Sequence, residues 1–353
     1  MHLRQMKLFH FLQKKINEIP LKTMPLVNNN KLLEQDKELE GLDVPFHFGY
    51  LIDVNYTLKD GAWTKTDTKR EWSMKISSKG ACSLNLTFSK LSLNPGTELY
   101  LINNQGSMVY GPVTSEHNFS DGTFITDLVS GDEAILYLVE PLDIKRQSDL
   151  QISKVVHGYI DLFDINSTKA EGDALLPCHN DVVCYPEWKK HSEAVALVIM
   201  QVGDKQGSCS GALLNNTAQD KKPYFLSAFH CIDIDEGSAG YLTAAEKQRA
   251  ENWTFRFNFQ RKTCNGTANE SSYTFNSAYF RSAWQETDFA LVELRASLSN
   301  PPMPVSYLGW DRGLANPLEG TGVHHPKSNV KKYPLTVKEF SQMQARTLGV
   351  TEQ

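Results

Sequence analysis

The chain has 353 residues, of which 41% are hydrophobic and 22% charged, and its formal net charge is −5. These values are typical of a globular protein, and the length suggests about two domains at roughly 150 residues each. The 36 basic and 41 acidic residues form no basic stripe, which argues against a nucleic-acid partner. No apolar run approaches the roughly 20 residues of a membrane span, so no membrane partner is expected.

Residues 1–44 are predicted to be a leader that is partly disordered or helical. The first twenty residues contain basic side chains, but their apolar core is only five residues long and is broken by His10. A secretory signal needs about 7–15 apolar residues there, so no signal peptide is visible in the chain. The stretch VNNNKLLEQDKELEGLD (27–43) is compatible with a short helix or a solvated segment.

Residues 45–165 are predicted to form a β-sandwich. The segment EWSMKISSKGACSLNLTF (71–88) alternates apolar and polar residues in two runs. TELYLINNQGSMVYGP (97–112) suggests two strands with a turn at Asn103–Gly106, and GDEAILYLVEP (131–141) suggests another strand. Alternation with turn residues at this spacing favours an antiparallel sandwich. No catalytic cluster is evident in it, so a folding, spacer or binding module is expected.

A small, polar stretch at 166–177 is predicted to be a linker or a processing site. The second domain, 178–353, is predicted to be mainly β. Two of its segments are compatible with helices, TAAEKQRAENW (243–253) and VKEFSQMQARTL (337–348). Its strand-like runs are AVALVIMQVG, CSGALLNN, YFLSAFHC, WTFRFNFQ and FALVELR.

Five of the six cysteines fall within the second domain. None belongs to a CxxC pair, which weakens a zinc interpretation. Spread-out cysteines in a β-rich chain instead suggest disulfides and an oxidising compartment. The cysteines are Cys82, Cys178, Cys184, Cys209, Cys231 and Cys264.

One histidine raises a question of chemistry. His230, in YFLSAFHCI, is compatible with a core residue, a metal ligand or a general base. A base needs an orienting carboxylate, and Asp288, in TDFALVEL, precedes an apolar strand 58 residues later. Taken alone, Asp288 is equally compatible with a turn residue. Cys209 and Cys231 lie 22 residues apart on either side of the predicted hairpin that carries His230.

These motifs together resemble a known family. CSGALLNN…YFLSAFHC and TDFALVEL resemble the CGGSLI…VLTAAHC and DIALLRL regions of trypsin-like serine proteases. The resemblance is closer to the bacterial lysyl endopeptidase branch and spans roughly Cys178 to Gln353. The domain before it resembles the pro-region found ahead of such proteases. The further matching blocks are CHNDVVCYPEW (178–188), LGWDR (308–312), GVHHPKSNVKK (322–332) and GVTEQ (349–353).

The resemblance implies a trypsin-like double β-barrel, of which the chain carries an incomplete version. It implies a secreted or periplasmic endopeptidase, expected to be a monomer without cofactor or metal, that cleaves peptide or protein substrates. His230 would be the base and Asp288 its orienting acid. By the same resemblance, Cys209–Cys231 and Cys184–Cys264 are disulfides. Cys178 would pair with a cysteine outside the chain, and Cys82 would stay unpaired.

The departures from the family concern the nucleophile. No GDSGG or GSSGS turn occurs in the sequence, and Ser210 lies on the strand before the histidine, where it is a poor candidate. The family's specificity aspartate has no counterpart either, so lysine preference is not transferable. The expected function is a serine endopeptidase precursor, truncated before its nucleophile and inactive alone. The alternative is a non-catalytic protease-like protein that binds peptides or a partner.

A second histidine motif needs a metal check. His324 and His325 are adjacent on a predicted strand, so their side chains should point to opposite faces and seldom share one ion. A structural role is expected for both, and no metal site is predicted.

Overall fold

The computed structural model describes residues 18–39, 41–42, 44–144, 147–163, 179–233, 241–311 and 320–333. The chain divides into two compact units. The N-terminal unit comprises 1–40, 48–163 and 204–206, and the C-terminal unit comprises 41–47, 164–203 and 207–353. The predicted linker, Cys178, the helix at 337–348 and the GVTEQ run lie outside the described residues. The domain limits drawn from the sequence therefore stay predictions.

In the described residues of the N-terminal unit, two sheets are combined with one α-helix. One sheet has the strand order β1-β4-β10-β6-β7, with β3 also pairing with β4, and the other contains β2-β11-β5, with β8 and β9 on β5. All these pairs are antiparallel except β1 with β4. The elements are β1 (Leu21–Thr23), α1 (Asn29–Lys37), β2 (Phe46–Thr57), β3 (Ala62–Lys65), β4 (Lys69–Ser77), β5 (Ser83–Ser92), β6 (Glu98–Asn103), β7 (Val109–Val113), β8 (Phe124–Ile125), β9 (Val129–Ser130), β10 (Glu133–Pro141) and β11 (Asp149–Gly158).

The alternating apolar residues of this unit form its core. Trp72 and Met74 of β4 and Leu86 and Phe88 of β5 belong to one buried cluster and are at most 1% exposed. Because successive side chains of a strand point to opposite faces, every second residue of each strand enters the space between the sheets. Complete burial of each such side chain is worth roughly 1.5–3 kcal/mol. The predicted β-sandwich is confirmed.

The C-terminal unit is built around a nearly closed barrel. Its strands follow the order β17-β16-β13-β14-β15-β19-β18, and Ser277 alone separates the two outermost strands along the chain. The interior is filled by aromatic side chains, including Phe225, Phe255 and Phe257. The elements are β12 (Asn180–Asp181), α2 (Lys189–Ser192), β13 (Val195–Val202), β14 (Lys205–Leu214), β15 (Tyr224–Ser227), α3 (Ala244–Glu251), β16 (Thr254–Phe257), β17 (Tyr273–Asn276), β18 (Ala278–Trp284), β19 (Phe289–Leu294) and β20 (Lys332–Tyr333).

The chain is mainly β with a trypsin-like β fold, as predicted. The helix expected at 243–253 is α3, which begins at a capping box in which Thr243 and Glu246 satisfy each other's backbone N–H groups. The second barrel of a double-barrel fold is not formed by the described residues after Leu294, where β20 is the one named strand. Within the described ranges, no helix has the length and apolar character to cross a membrane.

Candidate functional site

His230 lies in a short 3-10 turn directly after β15. The turn runs from Phe229 to Cys231, and Cys231 forms a disulfide with Cys209 of the neighbouring strand β14. The Cα atoms of the two cysteines are 6.4 Å apart. Since β14 and β15 pair antiparallel, the disulfide crosses the hairpin and fixes the end of the histidine turn.

Asp288 approaches His230 because their strands are neighbours. β15 pairs antiparallel with β19, with Ser227 opposite Ala290, so the end of β15 and the start of β19 meet at one edge of the barrel. Asp288 adopts a left-handed conformation (φ 48°, ψ 39°) just before β19. Aspartate tolerates this region better than most residues, which explains its occurrence at so tight a junction.

Three hydrogen bonds hold Asp288 against the histidine turn, two from His230 and one from Phe229. His230 Nδ1 lies 2.8 Å from Asp288 Oδ2, and the His230 backbone N–H donates to Oδ1 at 2.9 Å. The Phe229 N–H donates to the Asp288 carbonyl oxygen at 3.1 Å. Because an ionised carboxylate only accepts, Nδ1 carries the proton, and Nε2 is the ring nitrogen with a lone pair. The arrangement holds one imidazole tautomer in a fixed orientation.

The dyad is open to solvent. The side chains of His230 and Asp288 are 34% and 49% exposed, respectively. A reacting group can therefore reach the imidazole from outside the barrel. What the arrangement offers chemically is a solvent-accessible imidazole that a carboxylate holds in place.

Ser210 is used for structure. Its hydroxyl oxygen accepts the backbone N–H of His325 at 2.8 Å, and its carbonyl accepts the Ser227 hydroxyl at 3.0 Å. Both contacts join β14 to neighbouring segments.

The cluster of possible metal ligands around His230 contains a disulfide. Ligand atoms of Cys209, His230 and Cys231 lie within 4.8 Å of one another. Both sulfurs are bonded to each other, so neither is available as a thiolate, which is the form that binds metals. The cluster offers a metal ion one imidazole only.

The remaining cysteines occupy three different settings. Cys184 and Cys264 form a second disulfide that closes a sequence separation of 80 residues. Cys82 forms no disulfide with any described residue, and burial raises the pKa of its thiol, with Asp161 adding to the effect. Cys178 lies outside the described residues.

The two adjacent histidines have different neighbours. The His324 ring packs edge-on against His179, with ring centroids 5.4 Å apart. His325 is 4% exposed, stacks against Phe259, and its Nδ1 donates to the Asn329 carbonyl oxygen at 2.9 Å. Burial holds the pKa of both histidines below its ordinary value.

Burial of one lysine of this unit was not predicted from the sequence. Lys331 is 1% exposed, and its Nζ donates to the Ser192 carbonyl oxygen at 2.5 Å. Burial lowers the pKa of this amine to about 7, while Glu193 opposes the shift. In the sequence Lys331 stands beside Lys332, a pattern typical of a solvated surface, so no signal pointed to its burial.

Comparison with known protein families matches the part of the chain that contains His230 and Asp288. A family model described as the C-terminal domain of lysyl endopeptidase matches residues 173–352. A lysyl endopeptidase of Pseudomonas aeruginosa is 29% identical over 238 residues, which cover 64% of this chain and 46% of that protein. The chain thus spans about half the length of this relative.

Proposed function

The chain belongs to the lysyl endopeptidase family, and on this premise we propose that it carries the acid–base part of a serine endopeptidase. In this proposal His230 is the general base and Asp288 is its orienting acid. The observation that carries the proposal is the 2.8 Å contact between His230 Nδ1 and Asp288 Oδ2. The substrates are peptides or proteins.

The geometry suits the proton transfers of acyl transfer. His230 Nε2 would accept the proton of a serine hydroxyl as that oxygen attacks the scissile carbonyl, and would later give it to the leaving amine. Asp288 would hold the imidazole tautomer and stabilise the imidazolium. Its second oxygen, held by the His230 N–H at 2.9 Å, would keep the carboxylate from rotating away during the cycle.

In this proposal the nucleophile is a serine that is not among these 353 residues. The sequence contains no glycine-serine turn of the family's type, and that turn also provides the backbone N–H donors of the oxyanion hole. Loss of the nucleophile alone lowers kcat on the order of 10⁶-fold in a comparable triad. We therefore expect a polypeptide of residues 1–353 to be inactive alone.

The chemical setting supports an exported enzyme. Two disulfides form among the described residues, and disulfides persist in oxidising compartments such as the periplasm or the extracellular space. We propose secretion or periplasmic location and a monomeric state. The counterpart of a lysine-recognising group is not among the matched motifs, so no side-chain preference is proposed.

The alternative function is a protease-like protein that binds peptides or a partner without cleaving them. The observation that favours it is the lack of the glycine-serine turn in a sequence that keeps the dyad. It differs from the first proposal in one respect: a product extended beyond residue 353 would bind peptides and leave them intact.

An activity assay separates the two. Residues 1–353, and the product extended through the coding sequence downstream, would be incubated with fluorogenic peptides of several side-chain classes. The enzyme proposal predicts turnover by the extended product, loss of turnover in its His230→Ala variant and none from residues 1–353. Turnover by residues 1–353 that disappears in His230→Ala would mean that a serine within the chain is the nucleophile. Binding without cleavage by the extended product would favour the alternative.

A further inference from the structure

A hydrogen-bonded relay of three side chains lies inside the N-terminal unit, apart from the dyad. Ser78, just after β4, has its Oγ 2.7 Å from His157 Nδ1. His157 Nε2 lies 2.9 Å from Oδ1 of Asn29, the first residue of α1. Asn29 Nδ2 in turn donates to the Gly80 carbonyl oxygen at 2.9 Å. The relay thus connects the helix to both sheets of the sandwich.

The partners fix the protonation state of the imidazole. Because the Asn29 amide nitrogen donates to Gly80, its oxygen is the atom that faces His157 and can only accept. Nε2 therefore carries the ring proton, and Nδ1 accepts the Ser78 hydroxyl proton. Ser78 and His157 are both 0% exposed. The relay is complete only when His157 is neutral.

We propose that His157 is a pH-sensitive latch that holds α1 against the sandwich at neutral pH and loosens it when the ring is protonated. Protonation turns Nδ1 into a donor that faces the Ser78 hydroxyl, which must then give up its own donation. It also places a charge in a site without solvent, which is unfavourable unless the charge is paired.

The helix depends on such tethers because its own stability is low. With nine residues, α1 is shorter than the roughly 12–15 residues at which isolated helices become even marginal in water. Leu32 is its one buried residue. The other end of the helix is held by Asp36, which contacts Lys205 Nζ at 2.7 Å and the Tyr159 hydroxyl at 2.6 Å. Lys205 and Tyr159 thus hold this end of the helix through contacts that do not include His157.

Burial of His157 sets the direction of the pH effect. Burial lowers its pKa below the ordinary value of 6.5, and Asp132, the charged group that bears on it, opposes the shift. A depressed pKa means that the unfolded or released histidine binds protons more readily than the latched one. The latch is therefore at full strength above about pH 6.5 and weakens as the pH falls through the lowered value.

Loosening α1 would open a cavity beside it. A cavity of about 430 Å³ lies between α1 and β2, and Lys31, Leu32 and Gln35 of the helix line it together with Tyr50 and Ile52. Displacement of the helix would remove one wall of this cavity and expose apolar surface of the sandwich. Acidification would thus change the accessible surface of the N-terminal unit while its two sheets stay folded.

Hydrogen exchange tests the latch directly. Protection factors of the α1 amides, corrected for the intrinsic pH dependence of exchange, would be compared at pH 7.5 and pH 5.0, with β4 and β10 as internal references. Protection of α1 in the wild-type chain is expected to fall by up to tenfold for each unit of pKa depression, with the references unchanged. The variant His157→Gln, whose amide can donate to Asn29 and accept from Ser78 without titrating, should keep its protection at both pH values.

His117→Gln is the matched control. His117 is another histidine of the same unit whose pKa burial lowers, and it accepts the Thr114 N–H away from α1. This variant should keep the acid loosening of α1. Unchanged wild-type protection at pH 5.0, or an equal acid loss in His157→Gln, would overturn the latch.

A second variant covers the case in which His157→Gln does not fold. Asn29→Ala removes the helix side of the relay and leaves His157 in place. Its α1 protection at pH 7.5 should already match that of the wild-type chain at pH 5.0. Protection equal to the wild-type value at pH 7.5 would contradict the latch as well.

Discussion

Among single residues, Asp288 is held in place by hydrogen bonds to both its carboxylate oxygens, and not merely by being close to His230. One carboxylate oxygen binds the ring and the other binds the main chain of the same residue. The position of the carboxylate relative to the imidazole ring is therefore determined by backbone geometry. The family resemblance identified these two residues from short motifs. The left-handed backbone at Asp288 that brings them together could not be predicted from the sequence.

Asp288→Asn is expected to separate orientation from charge. The amide keeps the shape, but it can present its NH₂ to Nδ1 and favour the wrong imidazole tautomer. In the extended, serine-containing product, kcat should fall about 10⁴-fold, the size of effect known for this substitution in a related triad. Asp220→Asn, which changes an exposed aspartate on the β14–β15 loop, is the control and should leave kcat unchanged. A loss of less than tenfold in Asp288→Asn would remove Asp288 from the mechanism.

Lys331 carries a prediction about stability. Its pKa in the folded protein is about 7, well below the ordinary value near 10.4, so the unfolded chain binds the extra proton between these values. The free energy of unfolding should therefore rise with pH from about 7 toward 10, by at most about 1.4 kcal/mol per pH unit. Urea denaturation at pH 7 and pH 9 would measure the difference.

Lys331→Met should remove this rise, because a side chain of similar length without an amine cannot titrate. Lys332→Met is the matched control: the neighbouring lysine is paired with Asp181 at 2.5 Å, and its removal should leave the slope in place. An identical slope in wild-type and Lys331→Met would show that the amine is charged in the folded protein.

At the scale of elements, patterns with a regular period were predictable and interrupted ones were not. The alternation in 71–88 corresponds to β4 and β5, and the Thr243–Glu246 capping box marks the start of α3. No prediction was made for β11, whose pairing with its neighbours shifts register around Ile152 and Lys154. Such irregularities break the period of two on which a strand prediction rests.

The shortest strands could not be predicted for a different reason. β12 and β20 have two residues each and pair with each other across more than 150 positions of the chain, and Lys332 of β20 also forms a single bridge with His324. Their residues carry no periodic pattern of their own. Tertiary pairing alone makes them strands, and a single sequence holds no record of that pairing.

The two disulfides are expected to act on different parts of the C-terminal unit. Replacing Cys209 and Cys231 by alanine opens a short loop of 22 residues and should cost about 3 kcal/mol, whereas opening the 80-residue loop of Cys184 and Cys264 should cost about 4–5 kcal/mol. Denaturant unfolding of the two double variants would measure the free energy of unfolding that each has lost and show which loss is larger.

For the His230–Asp288 contact, the ranking of the two disulfides should be the opposite of their ranking for stability. Hydrogen exchange at the His230 amide, which donates to Asp288, should accelerate in the Cys209/Cys231 variant more than in the Cys184/Cys264 variant. The first disulfide is attached to the histidine turn itself, and the second is not. Equal acceleration in both would mean that global stability, and not the local link, holds the turn.

At the scale of the whole molecule, each unit has its own buried core and its own polar chemistry. The N-terminal sandwich contains the His157 relay, and the C-terminal barrel contains the His230–Asp288 dyad. Composition and alternation were sufficient to predict two mainly β parts. The buried polar groups His157, Lys331 and His325 were not predictable, because the sequence shows a polar residue without showing which partner satisfies it.

The central claim is that His230 is the base of a serine endopeptidase. Labelling with a fluorophosphonate probe, which reacts only with an activated serine, tests it most directly when the modified residue is located by mass spectrometry. If His230 is the base, the product extended beyond residue 353 is labelled at a serine outside residues 1–353, its His230→Ala variant is not labelled, and residues 1–353 alone are not labelled. Labelling of the extended product that persists in His230→Ala would contradict the assignment of His230 as the base.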